Sequence, residues 1–294
     1  MKKMSAMKKQ EALTGICFAA PATIGLITFF IIPFFICIWY TFTFGIGGTN
    51  FVGLKNYISI MNSSAFKLAS QNTIKFIGIG CPVLIIVSFF CAQIFQQVFP
   101  FRNIFKMLLV YPMIIPIAAT VTIVNMFCNE SGYINMILEK NGVAAEDLLK
   151  SPAAFWVLLI LYWWKNCGYM VILQLSGLNA IPPEYYETAD IFGANYFQKM
   201  TNITLPIMKP TLFFIAIISV VNSFKCFREA YMLGGTRPNN SIYMLQHFLN
   251  NNFENLNYQR LSVAAVITFI VIFIPVFLLY RYCSNLSAGK DNGF

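Results

Sequence analysis

Apolar residues occur in six long runs along this chain, separated by shorter polar segments. An α-helix needs about 20 mainly apolar residues to cross a bilayer, and each run is close to that length or longer. The alternation over about ten residues that is typical of membrane β-strands is absent from the sequence. The pattern therefore predicts an all-α integral membrane protein with six transmembrane helices. Their expected positions are 14–42, 71–95, 104–128, 154–178, 208–230 and 261–283. Several prolines fall inside these runs, where membrane helices tolerate them.

The polar segment 181–210 has a recognisable internal order. Pro182 and Pro183 suit the first turn of a helix, and carboxylates follow in its N-terminal half, where the helix dipole favours them. Gly193 interrupts this helix, and a second amphipathic stretch ends at Leu205-Pro206. We expect two short helices on the membrane surface, joined at the glycine and placed between two spans. The side chains that define them are Glu184, Glu187, Asp190, Tyr196, Phe197 and Met200.

Composition supports a membrane location, because only 11% of the 294 residues are charged and 58% are hydrophobic. Soluble domains carry about 25% charged residues. The net charge of +9 then bears on membrane orientation, since the sequence has no Lys/Arg cluster among exposed aromatic residues, as nucleic-acid binding requires. The eight cysteines lie mostly inside apolar runs and include no CxxC pair. We expect buried, inert thiols rather than a metal site or disulfides.

Basic residues are distributed unevenly between the two sides of the predicted membrane, once those in or at the ends of spans are set aside. Ten lie on one side: Lys2, Lys3, Lys8, Lys9, Arg102, Lys106, Lys199, Lys209, Arg281 and Lys290. Six lie on the other: Lys55, Lys67, Lys140, Lys150, Arg237 and Arg260. Because basic residues favour the cytoplasmic side, we expect both termini and the segment 181–210 in the cytoplasm. The loops 43–70, 129–153 and 231–260 then face outward.

The N-terminal lysines and the apolar run after them resemble a signal peptide only faintly. The run from Leu13 to Thr43 is too long for such a peptide, and no small-residue cleavage site ends it. We expect a retained first transmembrane helix. The chain then divides into a cytoplasmic segment 1–13, a transmembrane domain 14–284 that contains a loop at 181–206, and a cytoplasmic tail 285–294.

Catalysis has little support in the sequence. It contains no GxxxxGK phosphate loop and no HExxH or GxSxG motif. The single histidine, His247, falls in a predicted outer loop, where a solvated side chain is the expected state. We therefore predict a non-catalytic chain, so any ATP that drives it must be hydrolysed by another subunit.

Polar side chains inside two predicted spans are informative, because each is costly in hydrocarbon and tends to face a cavity or another helix. Those of the fourth span are Tyr162, Trp163, Trp164, Lys165, Asn166 and Gln174. Those of the fifth are Ser219, Asn222, Ser223 and Cys226, which share one helical face, followed by Lys225, Arg228 and Glu229. Hydroxyls and amides near aromatic rings suit a polyhydroxylated solute. The same residues could instead join helices without touching a solute, and Lys225 could form an i,i+4 pair with Glu229.

The segment 181–210 also resembles a known family. Its Glu187-Thr188-Ala189, Gly193 and Ile203-Thr204-Leu205-Pro206, at this spacing, resemble the EAA loop of the inner-membrane permeases of binding-protein-dependent ABC importers. Further similarity extends over nearly the whole chain and is to the sugar-permease branch, of the maltose and multiple-sugar type. It is carried by Phe51-Val52-Gly53-Leu54-Lys55-Asn56-Tyr57, Asn72-Thr73, Phe101-Arg102 before Tyr111-Pro112, Gly132 with Asn135, and Ile181-Pro182.

The resemblance implies the type I ABC importer permease fold, with a cytoplasmic coupling helix in the loop 181–206. In this family the loop docks on a separate ATPase dimer and transmits nucleotide-driven closure to the spans. The residues assigned to this role are Glu184, Glu187, Ala189, Gly193, Ala194, Leu205 and Pro206. The implied partners are a second permease subunit, a homodimeric cytoplasmic ATPase and an extracytoplasmic solute-binding protein. No cofactor is expected in this chain, since ATP and Mg bind the partner ATPase.

For the substrate path, the resemblance and the polar faces together give one set of candidates. They are Met113, Ile117, Tyr162, Lys165, Asn166, Ser219, Asn222, Ser223 and Cys226. Lys165 is unusual for a neutral sugar, and an acidic sugar and a buried pair with Glu229 are both open explanations. The sequence departs from the family at Phe192, where an aspartate is usual, at Thr188, and in the loop 233–238. These departures suggest one half of a heterodimer.

We therefore expect a multi-pass cell-membrane permease subunit of an ATP-driven importer for a sugar or oligosaccharide. The alternatives within transport are an anionic solute, such as glycerol phosphate or an acidic oligosaccharide, an amino acid or a peptide. A membrane scaffold is a different class, which would neither recruit a nucleotide-binding subunit nor show ligand-dependent ATPase activity. A proton-coupled transporter would need a membrane carboxylate, for which only Glu229 is a candidate.

Overall fold

The computed structural model describes residues 6–45, 47–97, 100–142, 144 and 146–288. Within them the chain is helical apart from a two-stranded hairpin and connecting turns. It divides into two compact units, one formed by residues up to Ser63 with Asn252–Ile270, the other by Ser64–Asn251 with the residues from Val271 onward. The expected segments 1–13 and 285–294 lie partly outside the described residues, and the domain boundaries stay predictions.

The first unit begins with a long apolar helix, which contains one π-helical turn at Ile27–Ile31. The hairpin that follows pairs antiparallel, with Thr43 opposite Phe51. Asn56 ties it to the preceding helix, because its Nδ2 donates to the carbonyl oxygens of Thr41 at 3.0 Å and of Thr43 at 2.8 Å. The elements are α1 (Ala6–Leu26), α2 (Ile32–Thr41), β1 (Thr43–Phe44), β2 (Asn50–Phe51) and α3 (Lys55–Met61).

The long helices of the second unit share a buried hydrophobic core. That core includes Phe76, Leu84, Leu158, Tyr162 and Ile215, all at most 1% exposed. Its elements begin with α4 (Ser64–Gln96), α5 (Arg102–Ile114), α6 (Ile117–Cys128), α7 (Tyr133–Lys140), α8 (Ala154–Asn179), α9 (Glu184–Ile191) and α10 (Tyr196–Lys199). They continue with α11 (Leu205–Lys225), α12 (Phe227–Gly234), a 3-10 turn (Asn240–Ile242), α13 (Leu245–Glu254) and α14 (Tyr258–Ala288), of which the last two extend into the first unit.

Helices α5 and α8 approach very closely at Gly168. A Cβ atom at this position would lie 1.9 Å from the carbonyl oxygen of Leu109, so only glycine permits the contact. Two side chains also join α8 to α4 by hydrogen bonds: Trp163 Nε1 donates to the Gly80 carbonyl at 3.0 Å, and Gln174 Nε2 donates to Ser88 Oγ at 2.8 Å. Polar groups of the fourth predicted span therefore serve partly in helix packing.

The third predicted span is broken rather than continuous, which corrects the expectation of one helix over 104–128. The helices on either side of the break differ in direction by 94°. Ile115 is extended, with ψ of 130°, because the residue before a proline avoids the helical region. Pro112, in contrast, lies inside α5. The tolerance of prolines expected for all spans therefore fails at Pro116.

We expected the second stretch of the segment 181–210 to form a separate surface helix, and this expectation is wrong. It runs without a break from Tyr196 to Lys225, so Leu205-Pro206 does not end it. A π-helical turn over Met200–Thr204 precedes the proline. Pro206 thus lies within the continuous helix, just after this π-helical turn. The fifth predicted span accordingly begins at Tyr196 rather than at 208.

Helix length and composition identify four to five spans in the described part of the chain. Among the described residues, four helices are long and apolar enough to cross a membrane, and the bent pair Arg102–Ile114 with Ile117–Lys140 makes a fifth. Tyr258–Ile274 is a further apolar segment, but a shorter one. The helical membrane architecture is confirmed, while the count of six stays a prediction.

Candidate functional site

A cavity of about 440 Å³ opens in the second unit at the break between α5 and α6. Helix α8 forms another wall, and the end of α11 with the start of α12 completes the lining. The lining residues are Met113, Ile115, Pro116, Ile117, Tyr162, Lys165, Asn166, Asn222, Lys225, Cys226, Arg228 and Glu229. Seven of the nine substrate-path candidates are among them, although their role in transport stays a prediction.

Local sequence explains how these walls form. Pro116 breaks the third span and brings the side chains of Met113 and Ile117, on either side of the break, to the same cavity. On α8, Lys165 and Asn166 follow Tyr162 by three and four residues, which places all three on one helical face. A turn at Cys226 separates α11 from α12 and ends the regular run of the fifth span.

Two candidates, Ser219 and Ser223, are buried and do not line the cavity. Ser219 is fully buried, and Tyr162 Oη lies 2.8 Å from both its carbonyl oxygen and its Oγ. Ser223 Oγ donates to the Val220 carbonyl oxygen at 2.6 Å. Their positions fit the alternative weighed for these residues, in which hydroxyls join helices.

The cavity contains one buried ion pair. Lys165 Nζ lies 2.7 Å from Glu229 Oε1, and the two side chains are 12% and 9% exposed. The pair was one of the two explanations for Lys165. The i,i+4 pair between Lys225 and Glu229 is not formed, because Glu229 turns to Lys165 instead. Lys225 and Arg228 are exposed, and no described carboxylate lies within 4.0 Å of either.

Sequence reasoning omitted five lining residues from its site: Ile115, Pro116, Lys225, Arg228 and Glu229. The dipeptide Ile115-Pro116 carried a usable signal, since a residue before proline favours an extended backbone. The three charged residues were noted, but were placed near the outer surface and not in the site. No sequence signal predicts the turn at Cys226, and this turn places the three charged residues at the cavity.

The loop 181–206 is a second candidate site, at the opposite end of α8 from the loop 129–153. Helix α9 has Glu184 and Glu187 in its first turn, as expected. Gly193 has a φ of +71°, the left-handed region that glycine adopts without strain. Asn195 and Gln198 then form a capping box that starts α10.

Three contacts hold this loop in place. Asp190 pairs with Lys199 across the glycine turn. Tyr186 Oη lies 2.9 Å from Thr204 Oγ1, and Tyr196 Oη donates to Gln93 Oε1 of α4 at 3.0 Å. Of the coupling candidates, Ala189 lies on α9, its carbonyl oxygen accepts from the N–H of Ala194 at 2.9 Å, and Leu205 and Pro206 lie in the continuous helix.

The tip of the loop carries an exposed apolar group. Ile191 and Phe192 are each 84% exposed and Phe197 is 75% exposed. Exposed apolar groups beside charged ones are typical of binding surfaces. Phe192, which departs from the family pattern, is therefore fully available to a partner.

His247 is buried, which corrects the expectation of a solvated side chain. It lies on α13 with no exposed surface, and its Nδ1 accepts from the Met244 N–H at 3.2 Å. Burial lowers the pKa of His247 to about 4, so the ring is neutral at physiological pH. In the part of the chain that the structure describes, no group of His, Cys, Asp and Glu side chains could hold a metal ion.

Comparison with known proteins decides the family. Residues 84–285 match the family described as binding-protein-dependent transport system inner membrane component. The chain belongs to this family. It is thus a multi-pass membrane protein and a permease component of a transport system, in agreement with the resemblance of the loop 181–206.

Named relatives cover nearly the full length of the chain. The trehalose/maltose transport system permease protein MalF of Thermococcus litoralis is 28% identical over 274 residues, 91% of this chain and 92% of the relative. The arabinooligosaccharides transport system permease protein AraP of Bacillus subtilis is 29% identical over 282 residues, which are 94% of this chain and 88% of the relative. The fold resembles a chain of a bacterial alginate ABC transporter solved with a periplasmic protein bound to alginate pentasaccharide, with a TM-score of 0.80 at 18% identity and coverage of 97% and 98%.

Proposed function

We propose that this chain is the permease subunit of an ATP-driven importer that receives a sugar or oligosaccharide from an extracytoplasmic binding protein. The observation that carries the proposal is the convergence of seven substrate-path candidates on one cavity. The named relatives support the solute class, since they transport trehalose, maltose and arabinooligosaccharides according to their names.

The chemistry of the cavity suits this solute class. The amide of Asn222 and the cations of Lys225 and Arg228 offer hydrogen bonds to hydroxyl groups. Met113 and Ile117 offer apolar surface to the faces of sugar rings. Asn166 is partly committed, because its Nδ2 donates to the Tyr162 carbonyl oxygen at 2.8 Å, which leaves its side-chain oxygen for a solute.

The loop 181–206 is the contact for a separate cytoplasmic ATPase dimer in this proposal. Its exposed tip at Ile191 and Phe192 supplies apolar contact area, and Glu187 supplies a charge at the helix start. The helical run from Tyr196 to Lys225 connects the loop to the cavity wall at Asn222. A displacement of the loop would therefore be transmitted rigidly to the cavity.

The mechanism follows as alternating access. ATP closes the ATPase dimer, the loop moves with it, and α11 shifts the cavity wall so that the cavity opens toward the docked binding protein. The chain itself is non-catalytic, with ATP and Mg on the partner. The complex contains a second permease subunit, and both termini with the loop 181–206 lie in the cytoplasm, as the basic-residue bias indicates.

The test is ATP hydrolysis and uptake by the full complex in proteoliposomes, with its binding protein and a panel of neutral and acidic oligosaccharides. We expect at least one saccharide to stimulate both activities. Asn222→Val should lower uptake of that saccharide, because it removes a hydrogen-bonding group from the cavity wall. Val221→Ala is the matched control, since Val221 is exposed on the same helix outside the lining. A complex that no saccharide stimulates would overturn the proposal.

A further inference from the structure

We propose that the cavity takes a saccharide that carries an anionic group, such as a carboxylate, sulfate or phosphate. The inference rests on the proposed function and specifies its solute. Four charged side chains line the cavity: Lys165, Lys225 and Arg228 with three positive charges, and Glu229 with one negative charge. The net formal charge of the lining is therefore 3 − 1 = +2.

The single carboxylate of the lining is already engaged. Glu229 Oε1 lies 2.7 Å from Lys165 Nζ, and both side chains are nearly buried. The pair is thus neutral as a unit. Lys225 and Arg228 are exposed, and no described carboxylate lies within 4.0 Å of them. The excess charge of the cavity consequently resides on these two side chains.

The hydrogen-bonding groups of the cavity also favour an anion. Lysine and arginine only donate hydrogen bonds, whereas sugar hydroxyls both donate and accept. The acceptors of the lining include the amide oxygens of Asn166 and Asn222, while Oε1 of Glu229 already accepts from Lys165 Nζ. An anionic substituent only accepts, and the guanidinium fork of Arg228 matches carboxylate, sulfate and phosphate in a bidentate manner.

The apolar walls strengthen this preference. Met113, Ile115 and Ile117 line the same cavity as the cations, and low-dielectric walls focus the potential of a charged cleft. Lys225 ends α11 and Arg228 lies on α12, so the two cations line the cavity from either side of the turn at Cys226. A neutral solute would gain nothing from this potential, while an anion would be concentrated by it.

The potential can be measured without knowing the solute. Met113→Cys places a thiol on the cavity wall of the full complex. This thiol is reacted with two methanethiosulfonates, the anionic 2-sulfonatoethyl and the cationic 2-(trimethylammonio)ethyl compound. Each reaction rate is divided by the rate of the same reagent with free glutathione, and the two normalised rates are compared. The chain without this substitution supplies the background from native cysteines. We expect the normalised anionic rate to exceed the cationic rate by at least about threefold at low salt, and less at high salt.

The double substitution Lys225→Gln with Arg228→Gln should bring the normalised ratio close to one. The matched control is Lys67→Gln with Lys140→Gln, which removes the same charge from exposed positions outside the lining and should leave the ratio unchanged. A ratio at or below one in the parent protein, or a ratio that the cavity substitutions do not lower, would overturn the inference.

The oligosaccharide panel separates this inference from the function on which it rests. Stimulation only by neutral saccharides would overturn the anionic preference and leave the importer intact. Stimulation by acidic saccharides, lost in the double variant and kept in the control, would support both. The same ratio in vesicles of neutral phosphatidylcholine tests for a lipid headgroup as the bound anion. A bound anionic lipid would neutralise the cations, so a ratio that rises in these vesicles would contradict the saccharide assignment, and an unchanged ratio would support it.

Discussion

The ammonium group of Lys165 on α8 lies 2.7 Å from Oε1 of Glu229 on α12. The contact joins α8 to α12, the short helix that follows α11 after the turn at Cys226. Both side chains are nearly buried, so each charge depends on the other for its solvation. The pair therefore fixes the position of α12 at the cavity.

Breaking this pair should destabilise the protein more than removing it completely. Lys165→Met or Glu229→Gln alone leaves one nearly buried charge without its partner, at a cost of about 3 kcal/mol. The double variant should be more stable than either single one. Unfolding of the purified protein in a graded mixture of detergents measures the three free energies as a double-mutant cycle.

The matched control for the ion pair is Lys150→Met. Lys150 pairs with Asp147 at 3.0 Å, but its side chain is 84% exposed. Surface pairs contribute little, so this variant should unfold like the parent. Additive losses at Lys165 and Glu229 would contradict the coupling that we assign to them.

The close approach of α5 and α8 predicts a severe effect of a single methyl group. Gly168→Ala would place a Cβ atom 1.9 Å from the Leu109 carbonyl oxygen, so the helices must separate. We expect a loss of about 3 kcal/mol, at the upper end of overpacking costs. Gly78→Ala on α4 is the control, because nothing lies within 4 Å of its Cβ position. Equal thermal stability of the two variants would show that α5 does not pack on α8 as described.

Burial of His247 predicts a loss of stability in acid. Its pKa is lowered from 6.5 to about 4 by burial, so between these values the unfolded chain binds a proton that the folded chain does not. The contribution of the neutral His247 to the free energy of unfolding is fully present above pH 6.5. It is lost as the pH falls toward 4, by up to about 3 kcal/mol. Unfolding measured between pH 7 and 4.5 tests this, and His247→Phe should flatten the profile. A steeper profile in that variant would contradict the assignment.

Phe192→Asp tests the departure of the loop from the family pattern. The side chain of Phe192 is 84% exposed, so the substitution should not disturb folding. We expect uptake to be retained or slightly improved, because aspartate is usual at this position in the family that the loop resembles. Phe197→Asp, at a position that is also exposed, is the comparison. Complete loss of uptake on Phe192→Asp alone would show that the loop docks differently.

Much of this architecture was predictable because a bilayer imposes strong constraints on sequence. The apolar runs marked the long helices, and the cost of polar groups in hydrocarbon pointed to Tyr162, Lys165 and Asn222, which meet at the cavity. Glycine at 193 marked the turn of the loop, where φ is +71°.

The errors arose where tertiary packing decides between local alternatives. Pro116 breaks a helix whereas Pro206 does not, because a π-helical turn precedes only the second. The sequence pattern predicts that His247 lies in a loop, yet its ring packs against Phe227, Tyr231 and Tyr243. The choice of Lys165 over Lys225 as the partner of Glu229 depends on the turn at Cys226, for which the apolar pattern carries no signal.

The ratio of solute uptake to ATP hydrolysis in proteoliposomes that contain the Glu187→Lys variant tests the central claim most directly. Glu187 lies in the first turn of α9, where the reversed charge opposes the helix dipole and the contact with the ATPase. Glu130→Lys, at an exposed position in a predicted outer loop, is the charge-matched control. We predict that Glu187→Lys inserts normally and keeps ATP hydrolysis but lowers uptake per ATP by about tenfold, while the control keeps the parent ratio. An unchanged ratio in the Glu187 variant would contradict the account.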